Sequence, residues 1–132
     1  MSTIVLVDDE PLLRSVLCEY LKFAGYSVIE CQDGNEAFER VTSETVDAVV
    51  SDVLMPGMDG LGLCGALRAT ASTSNIPFVF VTARSVDDAM KAEMNRIGDG
   101  SVFKPFEPQT LLDAIVEAMK KRSLTNSISS DL

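Results

Sequence analysis

Thr3-Ile4-Val5-Leu6-Val7-Asp8-Asp9-Glu10 is the stretch that decides the fold. Its first five residues are apolar or β-branched without alternation, which predicts a short strand buried on both faces. The run stops at three carboxylates, and Pro11 follows at a position suited to the first turn of a helix. A buried strand that ends in charge and passes straight into a helix is the opening half of a βα unit.

Working outward, the same unit recurs. Leu13, Val16, Leu17, Tyr20, Leu21 and Ala24 repeat at helical spacing, and Gly25 supplies the stop. A second strand is predicted over Ser27 to Cys31. Asp33, with Glu36 three residues on, starts a helix that runs to about Thr42. Val46 to Ser51 is the third strand, ending at Asp52, and Leu61 to Ala69 the third helix. Thr70 to Asn75 is a polar loop before a fourth strand, Pro77 to Val81. Ser85 is the expected N-cap of the next helix, with Asp87 and Asp88 in its first turn and an apolar stripe of Val86, Met90, Met94 and Ile97. Ser101 to Phe103 is a short fifth strand. Leu111, Leu112, Ile115, Val116 and Met119 line a last helix that begins near Pro108. Five alternations predict an α/β fold, a (βα)5 parallel sheet doubly wound between helix layers.

The chain has 132 residues, which suits one domain. That domain is expected over residues 1–122; residues 123–132 (SLTNSISSDL) read as a polar C-terminal tail or linker remnant. Net charge is −9 with no histidine. This argues against direct nucleic-acid binding and excludes His-based catalysis and His-ligated zinc. The basic run Lys120-Lys121-Arg122 falls where favourable contact with a helix C-terminus accounts for it. Cys18, Cys31 and Cys64 are odd in number, lack CxxC spacing and read as buried reduced thiols. The N-terminus resembles neither a signal peptide nor a membrane span, so a cytoplasmic protein is expected.

In open α/β sheets, ligands bind beyond the carboxyl ends of the strands. Those ends carry Asp8, Asp9 and Glu10; Asp52; Thr82 and Ala83; and Lys104 with Pro105. Clustered carboxylates repel one another, and burial adds to the cost. A hard cation such as Mg²⁺, bound by oxygen alone, relieves both. A carboxylate can also be a nucleophile toward phosphorus, with Lys104 and Thr82 placed to hold phosphoryl oxygens. Singly, each of these residues is weak as a signal, since an Asp at a strand end is usually a turn or helix cap and Lys104 reads as a solvated charge. Their joint occurrence at successive strand ends is what points to phosphoryl chemistry.

Val7-Asp8-Asp9-Glu10, Asp52 followed by Met55-Pro56-Gly57-Met58-Asp59-Gly60, Val81-Thr82-Ala83 and Lys104-Pro105-Phe106 together resemble the receiver domain of two-component response regulators, over about residues 3 to 121. The resemblance implies a flavodoxin-like, receiver-like sheet of strand order 2-1-3-4-5. It implies that Asp52 is the phosphoacceptor for a sensor histidine kinase or a histidine phosphotransfer protein. Mg²⁺ would be held by Asp8, Asp9, Asp52 and the backbone carbonyl of Leu54. Thr82, Ala83 and Lys104 would bind the phosphoryl group and signal it, and the Lys104–Pro105 bond would be cis. A downstream protein would dock on the fourth helix, fifth strand and fifth helix; a homodimer is left open. Such a domain is a switch and not a turnover enzyme.

Two features depart from the family pattern. Ser101 stands where an aromatic switch residue is usual, with Phe103 on the same strand face. Ile97-Gly98-Asp99-Gly100 replaces the usual Gly-Ala pair, and its two glycines suggest a mobile turn. Leu54 and Arg84 occupy positions that tune the lifetime of the phosphorylated state. Leu54 cannot orient an attacking water, so slow hydrolysis is expected. Two alternatives stand beside this reading. One is a degenerate receiver that acts only as an interaction module. The other is a haloacid-dehalogenase-like phosphatase, against which the adjacent Asp8-Asp9 pair argues, since that family places a DxD after its first strand. A flavodoxin-like cofactor binder fits poorly, because carboxylates at the phosphate-loop position would repel a flavin phosphate.

Overall fold

The computed structural model describes residues 1–83 and 85–130. The chain alternates β1 (Thr3–Val7), α1 (Pro11–Phe23), β2 (Ser27–Cys31), α2 (Gly34–Ser43), β3 (Ala48–Asp52), α3 (Gly60–Ala69), β4 (Phe78–Thr82), α4 (Asp88–Ile97), β5 (Gly100–Phe103) and α5 (Pro108–Ser130). All strand pairings are parallel, in the order β2-β1-β3-β4-β5. This is the doubly wound sheet and the strand order expected from the sequence.

Strand alternation divides the interior into two cores. Ile4 and Leu6 of β1 pack with Leu17, Cys18 and Leu21 of α1 and Leu111, Ile115 and Ala118 of α5. Val5 and Val7 face the other way, toward Ala37 and Val41 of α2, Leu63, Cys64 and Leu67 of α3, and Met94 and Ile97 of α4. Both faces of the central strands are therefore dry, which explains why they read as unbroken apolar runs. The three cysteines are free and buried within these cores. Burial pushes the Cys31 and Cys64 thiols up to about 12.

Local chemistry sets the element ends. Gly25 takes a φ of 100° after α1, the left-handed conformation that favours glycine. Asp33 accepts a hydrogen bond from the Glu36 N–H (2.8 Å) at the start of α2. At α4 the expectation is corrected. The helix begins at Asp88 and its cap is Asp87, which accepts from the Met90 N–H, rather than Ser85. β3 begins at Ala48 rather than Val46; the Asp47 carboxylate instead accepts from the Thr3 N–H (2.6 Å). The polar loop before β4 contains a single 3-10 turn, Ala71–Thr73. α5 continues to Ser130, so the segment read as a polar tail is helical from Ser123 to Ser130. Asp131 and Leu132 lie outside the described residues.

The turn before β5 owes its glycine to packing. Gly98 has a negative φ, and a Cβ there would lie 2.5 Å from the Phe80 ring. Beside it, the Asp99 side chain is fully buried. It accepts from Arg68 (3.0 Å), from Arg122 (2.7 Å) and from the Phe78 N–H (2.9 Å). Glycine at 98 thus closes a tight joint between α4, β4 and β5.

Candidate functional site

The site forms where the strand order reverses, between β1 and β3, the position at which open sheets leave a crevice. Asp8 follows β1. It is buried, its carboxylate accepts from the Glu10 N–H (2.9 Å), and its backbone carbonyl accepts from Arg14 (2.7 Å). Asp9, next along the chain, is exposed. Asp52 ends β3 and is half-buried. Asp8, Asp9 and Asp52 each offer a carboxylate oxygen, and the three oxygens lie within 4.8 Å of one another.

Lys104, just past β5, reaches over this cluster. Its ammonium lies 3.4 Å from Asp52 Oδ2 and 3.9 Å from Asp8 Oδ2. The Lys104–Pro105 peptide bond is cis. The Lys104 N–H donates to the Thr82 carbonyl (2.8 Å), tying the last residue of β4 to the lysine. Thr82 is fully buried, and its hydroxyl has no hydrogen-bond partner. A buried unpaired hydroxyl costs about 1–3 kcal/mol, so this one marks a place where an acceptor belongs. Ala83 is exposed beside it.

The electrostatics follow from this packing. Burial raises the Asp8 pKa above the usual carboxylate value; the Glu10 N–H partly offsets the rise, and the Asp52 charge adds to it. Burial likewise raises Asp52, against the lowering effect of Lys104. The Lys104 ammonium reaches two of the three clustered carboxylates, so the cluster keeps a negative balance. Three oxygen donors with no nitrogen or sulfur make a set that fits a hard divalent cation.

The loop behind Asp52, one of the runs that carry the family resemblance, supports the strand end. Gly57 takes a φ of 72°, and Gly60 packs so closely on the strand end that a Cβ there would lie 2.1 Å from the Asp52 carbonyl oxygen. The Gly60 N–H donates to the Val53 carbonyl (2.9 Å), and Asp59 caps α3 by accepting from the Gly62 N–H (2.8 Å). The signal was present in the Pro-Gly-Met-Asp-Gly run, but turn chemistry alone does not say what the turn supports. Leu54, beside Asp52, is half-exposed at 49%. Arg84 lies outside the described residues. Ser101 sits on β5, opposite Phe80, and is partly exposed. Among the described residues, no helix is long and apolar enough to cross a membrane.

Comparison with known proteins gives a consistent result. The family model described as the response regulator receiver domain matches residues 4–116. Response regulator MprA of Mycolicibacterium vanbaalenii is 39% identical over 120 residues, covering 91% of this chain and 51% of that protein. MprA of Mycobacterium ulcerans is 34% identical over 128 residues, covering 97% and 54%. The chain therefore spans about half the length of these relatives. Among solved structures, chemotaxis protein CheY4 of Vibrio cholerae is similar with a TM-score of 0.82 and 29% identity, covering 89% of this chain and 98% of that one. Response regulator TrrA of Thermotoga maritima, solved in complex with Mg²⁺-BeF, has a TM-score of 0.80 and 30% identity, covering 89% and 99%. With the sheet order, the strand-end cluster and the sequence match in agreement, this chain belongs to the receiver-domain family of two-component response regulators, signalling switches rather than turnover enzymes.

Proposed function

We propose that Asp52 accepts a phosphoryl group from the phosphohistidine of a sensor histidine kinase or histidine phosphotransfer protein. A carboxylate oxygen of Asp52 attacks phosphorus. The new O–P bond replaces the P–N bond, and the departing imidazole nitrogen keeps that electron pair and takes a proton from solvent. Lys104, already 3.4 Å from Asp52, holds one phosphoryl oxygen. The Thr82 hydroxyl donates to another. Asp8, Asp9, Asp52 and the Leu54 carbonyl would hold Mg²⁺, which when bound offsets the negative charge of both the cluster and the incoming group. Positioning and electrostatics then carry the reaction, including the slow return of phosphate to water.

The observation that carries this reading is the Lys104 ammonium 3.4 Å from the Asp52 carboxylate, with the buried, unpartnered Thr82 hydroxyl at the end of the adjoining strand. The same arrangement gives the switch its readout. A new dianion beside Thr82 and Lys104 biases the surface of α4, β5 and α5, on which a downstream protein, or a second copy of the chain, would dock. The receiver domain runs through residue 122 in this reading, because Arg122 still reaches back to Asp99. Three free buried thiols suit a reducing, cytoplasmic setting.

The test is to incubate the protein with Mg²⁺ and acetyl phosphate and measure intact mass for wild type and Asp52→Ala. A phosphoryl adduct on wild type alone is the expected result. Sustained phosphate release with turnover would favour a phosphatase, and an absent adduct would favour a module that only binds partners.

A further inference from the structure

Thr82 and Phe103 are register partners across β4 and β5, on backbones about 4.8 Å apart. Alternation puts both side chains on the sheet face covered by α3 and α4. Phe78 and Phe80, at alternate positions before Thr82, lie in that core, and Phe103 packs against it. The Phe103 ring also lies below the Lys91 ammonium of α4, 6.0 Å from ring centroid to nitrogen. On the strand side, Lys91, Met94, Asn95, Ser101 and Phe103 line a recess of about 280 Å³. A serine at 101 leaves that space open next to the ring.

Three observations meet at this point. A buried hydroxyl lacks an acceptor. The residue directly across from it is an aromatic ring in contact with the next helix. Free volume adjoins that ring. We infer that Phe103 is the side chain that passes the state of Asp52 to α4, with the recess beside Ser101 as the room in which its ring changes rotamer. When Thr82 turns to donate to an anion on Asp52, it leaves the flank of the Phe103 ring. The ring follows, and its contact with Lys91 changes. The backbone bond from Lys104 to Thr82 keeps the two strand ends in step. The inference rests on Asp52 being the phosphoacceptor.

The chain has six phenylalanines and no tryptophan, so fluorine NMR of protein labelled with 4-fluorophenylalanine reads the ring directly. The Phe103 signal is assigned by its loss in Phe103→Leu. With Mg²⁺ and acetyl phosphate, the Phe103 signal is expected to move by more than its linewidth in wild type. In Thr82→Val, at equal adduct occupancy by intact mass, it is expected to stay put. An adduct on wild type with no movement overturns the inference and leaves the phosphoacceptor reading standing; so does equal movement in Thr82→Val. No adduct on wild type overturns both. Should Thr82→Val resist phosphorylation, Ser101→Leu fills the recess instead: a movement abolished there supports the inference, and one retained overturns it.

Discussion

Replacing Asp99 with asparagine removes one charge from the most buried ionic group among the described residues. The Asp99 side chain is fully buried, and Arg68 and Arg122 beside it are only 15% and 19% exposed. Asparagine keeps the shape and an acceptor for the Phe78 N–H. It leaves two guanidinium groups without their counter-charge. Removing one partner of a buried pair costs about 3–5 kcal/mol. Two things lower that figure here. Arg68 keeps bonds to the Ile97, Ser74 and Ile76 carbonyls, and Arg122 can turn toward solvent. About 3 kcal/mol is therefore expected, a large share of a stability that for a domain of this kind is about 5–15 kcal/mol. Urea unfolding measures it, with the midpoint falling while the slope stays constant. As a control, Glu93→Gln breaks a solvent-exposed pair with Arg96 and is expected to leave the unfolding midpoint nearly unchanged. If Asp99→Asn lost no more than that control, the joint between α3, β5 and α5 would not be what holds this end of the molecule.

Other perturbations address the site. Leu54→Asn supplies a polar side chain where leucine cannot orient water, and the adduct is expected to decay severalfold faster; an unchanged lifetime on following intact mass would sink the idea. Asp8→Asn removes a buried carboxylate, so it should raise the melting temperature in EDTA and abolish the rise that Mg²⁺ gives wild type. The pH dependence has a definite sign. The Asp8 pKa is raised by burial, so its favourable contribution is fully present below about 3.8 and lost as pH rises through the raised value. The stability advantage of Asp8→Asn over wild type in EDTA should therefore grow toward neutral pH, and a difference flat with pH would refute the assignment. Cys31 and Cys64, with thiols pushed up to about 12, should resist maleimide at neutral pH until urea unfolds the chain; rapid labelling of the native protein would contradict their burial.

Strand ends were legible because a run such as Thr3 to Val7 breaks abruptly into charge, and topology then delivers every such end to one edge. Asp8, Asp9, Asp52, Thr82 and Lys104 could be named together on that ground. Less was legible where two residues compete for one role. Ser85 and Asp87 are both fair caps, and only the helix itself shows which one bonds the Met90 N–H. Val46 continues the apolar run of β3, yet pairing starts at Ala48. Long-range polar contacts leave no local trace. Asp99 meets partners 31 and 23 residues away, and nothing near it announces either. Gly98 misleads in the opposite sense: composition suggests freedom, while the structure uses glycine for the approach of Phe80.

The parts of the site come from distant points in the chain. Asp52 lies 52 residues from the lysine that partners it, and both the β3–β4 and the β4–β5 pairings bring that ammonium to it. During synthesis, the carboxylates emerge and can gather well before the chain that carries Lys104 has left the ribosome. Contacts of such sequence separation form late, after local structure is in place. A half-made or misdocked molecule therefore has the acids without the cation that completes them, and on the proposed reading it does not take up a phosphoryl group. Competence to signal becomes a certificate of finished folding.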